Sequence, residues 1–217
     1  MSQFFRICPD NPPPRLINQA LQIIKDGGIV ALPTDSSYAP ACHLDDKGAV
    51  ERLRWIRGID DKQHLSLLVR DLSELANFAM VDNRQFRLLK SVTPGLYVFV
   101  LEAIKEVPRE LSHPSPKTIG LRVPDHRITL DLLEALGETL LASTLILPPD
   151  TEPLNDAEEI RERLEKQIEL VIDAGACPAE PSTVIDLSGG EPVLLRAGAR
   201  QSGTVRPDGM KAGPTTV

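Results

Sequence analysis

The chain has 217 residues, 41% of them hydrophobic and 25% charged, enough for one globular domain with a sizeable core and no need of disulfide or metal staples. Aromatic residues make up only 4%, so the core is built chiefly from Leu, Ile, Val and Ala. A net charge of −7 excludes any bulk electrostatic draw onto nucleic acid or an anionic membrane, while leaving room for a local basic patch.

Taken in chain order, Phe4 to Cys8 reads as a short edge strand. Asn11 followed by three prolines reads as a helix start, and Leu16, Ile17, Ala20, Leu21 and Ile24 recur at helical spacing up to a stop at Gly27. Gly28 to Pro33 is a buried strand, and Gly48 to Arg57 a second helix with Val50, Leu53 and Trp55 or Ile56 as its inner face. Gly58 to His64 is a polar loop and Leu65 to Val69 a strand. Asp71 or Ser73 caps a short helix through Phe78, and Asp82 caps another that ends before Thr93-Pro94-Gly95. Tyr97 to Glu102 and Thr118 to Val123 are strands separated by a proline-marked loop. Ile128 to Leu136 is helical, Thr139 to Leu147 a strand, and Asp156 with Glu159 has the spacing of a capping box before a charged helix. Leu170 to Asp173, Thr183 to Leu187 and Val193 to Arg196 are late strands. Residues 201–217 are polar, lack periodicity and are expected to form a disordered tail. Eight or nine strands among six helices, in neither strict alternation nor a barrel rhythm, predict an α/β fold: a mixed, twisted sheet with helices on its faces.

Several chemistries are missing. There is no P-loop, no GxGxxG and no GxSxG elbow, and the paired glycines at 27–28 and 189–190 sit where stops and turns belong. His43, His64, His113 and His126 have no metal-ligand spacing, and Asp60 with Asp61 reads as a solvated loop rather than a magnesium clamp. Cys8, Cys42 and Cys177 are odd in number and outside any CxxC, which suggests free thiols in a reducing compartment. The start of the chain is polar and proline-broken, unlike a signal peptide. The longest apolar run, Leu140 to Leu147, is too short to cross a bilayer. A cytoplasmic protein without membrane contact is the expectation.

What remains is a set of hydroxyls and arginines at strand ends: Thr34, Thr118, Arg122, Ser143, Thr144, Ser182, Thr183 and Arg196. Polar side chains in apolar strands cost stability unless each finds a partner. Brought together they would make an anion-binding floor, with guanidinium forks for carboxylate or phosphate and hydroxyls completing the shell.

At these residues the sequence resembles the YrdC-like superfamily, over roughly 12–200. The resemblance rests on Ile29-Val30-Ala31-Leu32-Pro33-Thr34-Asp35-Ser36-Ser37-Tyr38, on Thr93-Pro94-Gly95, on Thr118-Ile119-Gly120-Leu121-Arg122-Val123-Pro124, on Pro181-Ser182-Thr183-Val184-Ile185-Asp186 and on Arg196-Ala197-Gly198. The opening Met1-Ser2-Gln3-Phe4-Phe5 and Pro9-Asp10-Asn11-Pro12 look like its YciO branch. The resemblance implies an open twisted sheet with a concave, positively charged cleft. It implies synthesis of threonylcarbamoyl-AMP and pyrophosphate from L-threonine, bicarbonate and ATP, for the threonylcarbamoyl modification of an adenosine in tRNA. Binding of double-stranded RNA or tRNA is also attributed to the family. By position, Thr34 and Arg122 would hold threonine, with Thr144 and Ser182 as further cleft hydroxyls. Arg57, Thr118 and Arg196 would face ATP, whose triphosphate magnesium would screen.

Two signatures differ from the synthase branch. Its Lys-x-Arg reads Arg57-Gly58-Ile59 here, and its Ser-x-Asn reads Thr144-Leu145-Ile146; a position often held by histidine falls on Leu68. Three readings follow: a synthase, weakened by these changes; an RNA-binding module that keeps the cleft without its chemistry, using the basic cluster Arg52, Arg54, Arg57, Lys62 and Arg70; or another reaction on related ligands. Oligomeric state is not encoded in any motif.

Overall fold

The computed structural model describes residues 1–60, 63, 65–108, 111–114 and 117–198, and a two-residue strand at 211–212. Among them, thirteen strands form one open, mixed sheet. In spatial order its main path is β1 (Gln3–Arg6), β10 (Leu170–Asp173), β2 (Val30–Leu32), β3 (Ala39–His43), β9 (Leu140–Ala142), β4 (Ser66–Leu68), β8 (Lys117–Arg122), β6 (Tyr97–Ala103), β11 (Thr183–Asp186), β12 (Val193–Arg196) and β13 (Lys211–Ala212). Two short strands lie off this path: β5 (Ala79–Met80) pairs with β6, and β7 (His113–Pro114) with β8. The pairing of β13 with β12 falls inside the stretch expected to be a disordered tail; the rest of that stretch lies outside the described residues.

The helices divide between the two faces. α1 (Pro14–Lys25) and α4 (Arg127–Leu136) bury Ile17, Ala20, Leu21, Ile24, Ile128, Leu132 and Leu133 against Val30, Leu32, Leu140, Ala142, Leu170 and Ile172. α2 (Lys47–Arg57), α3 (Asn83–Val92) and α5 (Ala157–Leu164) pack on the opposite side, against Ile29, Ala31, Leu67, Phe99, Leu121, Leu141 and Val171. Alternate residues of one strand therefore enter different cores, which is why β2, β9 and β10 read as unbroken apolar runs. The face under α1 and α4 is covered only around β10, β2, β3 and β9. Across β4, β8, β6 and β11 no described helix lies on it, and that bare half is where the predicted cleft falls.

Local rules account for most boundaries. Asp46 accepts from the N–H of Ala49 at the start of α2, and Gly58, in the left-handed region at φ 63°, ends it. Asp82 and Gln85 close a reciprocal capping box on α3, with bonds of 2.8 and 2.9 Å. The first helix starts later than the sequence suggests. Pro13, not Asn11, is the cap, and it offers no side-chain bond, because the proline run holds the chain extended until Pro14 takes the first turn. The segment Asp71–Phe78 is a 3-10 turn (Leu72–Asn77) rather than a regular helix.

Two strands depart from expectation. β3 has no alternation and contains Pro40, so nothing in its pattern announces it; it is held by β2 on one side and β9 on the other. The strand foreseen at Thr139 to Leu147 leaves the ladder after Ala142. The chain then follows β3 irregularly through Ser143 N–H to Pro40 O and Leu145 N–H to Tyr38 O. Leu145 and Leu147 stay buried, which explains the apolar run.

Two outcomes follow. Asp82→Ala should lower unfolding stability by about 1 kcal/mol, read as a fall in the urea midpoint at constant m. Gly120→Ala should cost more, about 1–3 kcal/mol, because a Cβ there would lie 2.9 Å from the Leu65 carbonyl oxygen, a backbone atom that cannot turn aside.

Candidate functional site

The bare half-face is floored by small and apolar groups. Ser66 lies opposite Gly120 and Ala142, and Leu68 opposite Arg122. The Phe99–Leu121 register, carried on by one residue, sets Val98 beside Arg122; Val98 faces Val184, and Val184 faces Arg196. Arg122 and Arg196 thus stand on one row of the sheet, three strand spacings or about 14 Å apart at the backbone. Their long side chains close that gap, and Ser37, Ala39, Ser143, Thr144 and Ser182 complete the lining of the hollow.

Arg122 is only 6% exposed and is gripped by one turn. Its terminal nitrogens donate to Ser36 Oγ at 2.9 Å, to Asp35 Oδ1 at 2.6 Å and, weakly, to Thr34 Oγ1 at 3.5 Å. Thr34 holds the turn itself. Its hydroxyl donates to Ser37 O at 2.6 Å and accepts from the N–H groups of Ser36 and Ser37. Tyr38 anchors the far end, donating to Gly175 O at 2.9 Å and accepting from Ala174 N–H. Burial pushes its phenol well above the ordinary value. Cys177 lies behind the same turn, its thiol pushed up to about 11 by burial although the Thr34 N–H favours the thiolate. Cys8, Cys42 and Cys177 are all free.

Arg196 donates from Nε to Ser182 O at 3.0 Å and from a terminal nitrogen to Ser182 Oγ at 2.9 Å. The chain can leave β12 this close to β11 only because residue 198 is glycine: a Cβ there would lie 2.6 Å from Thr183 N. Arg57, at the end of α2, reaches Ser143 Oγ at 3.1 Å. The three guanidiniums feel one another. Burial first, and then the charge of Arg196, lower Arg57 to about 10; burial, and then Arg122, lower Arg196. Both remain cations at neutral pH, and since the Arg196 side chain is still partly open to solvent its repulsion is damped by water. Only Arg122 meets a carboxylate. Among the described residues neither Arg57 nor Arg196 has an acidic partner, although ten other ion pairs are formed.

Of the residues picked out in the sequence, Arg57, Arg122, Thr144, Ser182 and Arg196 therefore gather at one hollow, with Thr34 just behind it. Thr118 is on the same face of β8 as Arg122 but two rungs away, about 13 Å along the strand. It lines a separate hollow of ≈ 660 Å³ with Met80, Glu102, Lys105, Lys117 and Ser188. A ligand touching both would have to run along β8. Sequence reasoning did not assign Asp35, Ser36 or Ser37 to the site, although all three lie in the Pro33–Tyr38 stretch. Of the neighbouring hydroxyls Ser143 and Thr144, both picked out in the sequence, Ser143 is the one that takes Arg57. Leu68, at the histidine position, is 2% exposed and part of the floor.

In the basic cluster proposed for RNA, two of the described arginines, Arg52 and Arg70, meet carboxylates. Arg52 pairs with Glu169 at 2.6 Å and caps Gln167 O, Arg54 donates to Asp60 O and Gln63 O, and Arg70 pairs with Asp71. Lys62 lies outside the described residues. No helix is long and apolar enough to cross a membrane among the described residues.

Residues 22–198 match the model of the Sua5/YciO/YrdC family, described as telomere recombination. The chain is 50% identical over 207 residues to the uncharacterised protein YciO of Escherichia coli, covering 95% of this chain and 99% of that one. The crystal structure of E. coli YciO superposes with a TM-score of 0.89 at 51% identity, over 92% of this chain and 97% of the other. Pyrococcus abyssi Sua5 in complex with L-threonine superposes with a TM-score of 0.82 at 27% identity, over 91% of this chain and 57% of that longer one. Human threonylcarbamoyl-AMP synthase is 28% identical over 179 residues, 79% of this chain and 63% of its own. The fold, the matched span and the identity to YciO agree: this chain is a member of the Sua5/YciO/YrdC family.

Proposed function

We propose that the protein binds ATP and L-threonine in this hollow and, with bicarbonate, forms threonylcarbamoyl-AMP and pyrophosphate. The observation that carries the reading is the gathering of three arginines, Arg122 and Arg196 on one row of the sheet and Arg57 at the end of α2, two of them without a carboxylate among the described residues. Uncompensated guanidiniums at a concave surface attract an anion with several oxygens, and each offers the fork that suits phosphate or carboxylate. Arg57 and Arg196 would hold the triphosphate, and Arg122 the carboxylate of the amino acid. The likeness to Sua5 solved with L-threonine supports threonine as one of the ligands.

The chemistry asks for little covalent work from the protein. The threonine amine takes up bicarbonate with loss of water, an oxygen of the resulting carbamate attacks the α-phosphorus, pyrophosphate leaves, and negative charge builds on the phosphate oxygens between two fixed cations. Among the described residues no group of His, Cys, Asp and Glu is arranged to hold a metal, so magnesium would enter on the triphosphate as part of the substrate. The Ile59 and Ile146 positions supply neither the second cation nor the amide of the synthase signature. Loss of one such contact typically costs ~10²–10³ in rate, so a slow enzyme is expected.

Pyrophosphate release from ATP and bicarbonate, with and without threonine, tests the reading directly. Release should depend on threonine, and Arg122→Ala should lower it at least ~100-fold. Arg57→Ala and Arg196→Ala should each raise the ATP requirement roughly 10- to 100-fold, the worth of one charge-assisted bond. Threonine-independent background alone in the unmodified protein would refute the synthase assignment. RNA binding draws little support from α2, where Arg52 meets Glu169 and Arg54 is spent on the carbonyls of Asp60 and Gln63, while Arg57 turns to the hollow.

A further inference from the structure

Ser66 stands in the middle of the hollow's floor, and no sequence motif pointed to it. It lies on β4, with Ala142 of β9 on one side and Gly120 of β8 on the other. Those are the two smallest neighbours a strand residue can have, so neither rises above the hydroxyl. The side chain leans toward Gly120: a Cβ there would lie 3.3 Å from Ser66 Oγ. A larger residue at 120 would crowd the hydroxyl. Glycine leaves it open to the hollow, which it lines together with Arg122, Ser143 and Ser182.

The other serines of the hollow have partners. Ser143 Oγ accepts from Arg57, Ser182 Oγ accepts from Arg196, and the Ser37 hydroxyl donates to Tyr38 O. Of the hollow's hydroxyls only Ser66 and Thr144 have no protein partner among the described residues. Thr144 falls on a signature position of the synthase branch; Ser66 has no assigned role. A polar group turned into a hollow and left unpaired by the protein is open to water or to a ligand.

Its place in the sheet indicates which part of a substrate it meets. β4 lies beside β8, which carries Arg122, and beside β9, which leads into Ser143 and so to Arg57. Each neighbouring strand is about 5 Å away. In the reading above Arg122 holds the amino-acid carboxylate and Arg57 the phosphates. The group that joins the two is the carbamate, formed where the amine meets bicarbonate. We propose that the floor over Ser66 and Gly120 is the subsite for bicarbonate and the carbamate made from it, with the Ser66 hydroxyl donating to one of its oxygens. The inference rests on the synthase reading and adds a residue for its third substrate.

The reaction suits a neutral donor at this point. The amine nitrogen bonds to the bicarbonate carbon, and the bicarbonate hydroxyl leaves with an amine proton as water. One carbamate oxygen then attacks the α-phosphorus as the bond to pyrophosphate breaks. A cation bonded to the attacking oxygen would hold it in the ground state, because charge-assisted bonds are roughly twice as strong as neutral ones. A hydroxyl on the other oxygen orients the planar group without tying up the nucleophile. Ser66 keeps its proton throughout and forms no covalent bond. The hollow is also narrow, ≈ 20 Å³, room for about one water. Its base therefore admits one oxygen of a small planar anion, with the bodies of threonine and nucleotide above it.

Pyrophosphate release in buffer freed of carbon dioxide, with bicarbonate added back at saturating ATP and threonine, tests the assignment. Ser66→Ala should raise the bicarbonate KM roughly 5- to 10-fold, the worth of one neutral hydrogen bond, and leave the KM of ATP and of threonine within about twofold. Ser66→Thr, which keeps the hydroxyl, should hold the bicarbonate KM within about twofold of the unmodified protein. If the unmodified protein shows no release that depends on threonine and bicarbonate, the synthase reading falls and the subsite with it. If that release is present and Ser66→Ala leaves the bicarbonate KM unchanged, or raises all three constants alike, the reading stands and the subsite is wrong. Ser66→Thr as impaired as Ser66→Ala would likewise overturn it. A hydroxyl that only holds a water at the floor predicts an unchanged bicarbonate KM.

Discussion

The Arg122–Asp35 contact is the constraint on which the rest of the structure depends. It ties the end of β8 to the turn after β2, two segments 87 residues apart in the chain, across the half of the sheet that carries no helix. Removing either partner would leave a buried charge uncompensated, a far larger loss than the net worth of the pair. The turn that supplies Asp35 is fixed at one end by Thr34 and at the other by Tyr38, so a single ion pair is positioned by bonds reaching back to Gly175. The surrounding sheet can then be built of small residues, because the packing that stabilises it sits on the opposite face and under α1 and α4.

That division of labour explains why the site is electrostatically tense. The covered regions hold nearly all of the large buried side chains. The uncovered region holds three guanidiniums, and burial together with a neighbouring arginine's charge lowers the proton affinity of two of them, Arg57 and Arg196. In most proteins such repulsion is relieved by carboxylates, and this chain has an excess of them: 31 acidic against 24 basic side chains. Among the described residues none of them lies beside Arg57 or Arg196, which is what the proposed anion site rests on.

Much of this was legible in the sequence, and for identifiable reasons. Helices with a one-sided apolar stripe and a cap, such as α2 and α3, announce themselves, as do the long apolar runs of β2 and β10. Strand-end arginines stood out because a cation beside a buried strand needs a reason. β3 was hidden because Ala39 to His43 has neither alternation nor β-branched residues, and only its two neighbours make it a strand. The role of Asp35 was hidden for a related reason: in sequence it looks like a turn residue, and only folding sets it against Arg122. Thr34 illustrates the converse, since a motif position with a hydroxyl turns out to spend that hydroxyl on its own turn.

The account predicts where two ligands sit. A crystal structure of the protein with a non-hydrolysable ATP analogue and threonine would test it most directly. Phosphate oxygens should lie within hydrogen-bond distance of both Arg57 and Arg196, with the threonine carboxylate at Arg122. Nucleotide density confined to the hollow beside Met80 and Lys117, with Arg57 and Arg196 untouched, would contradict it.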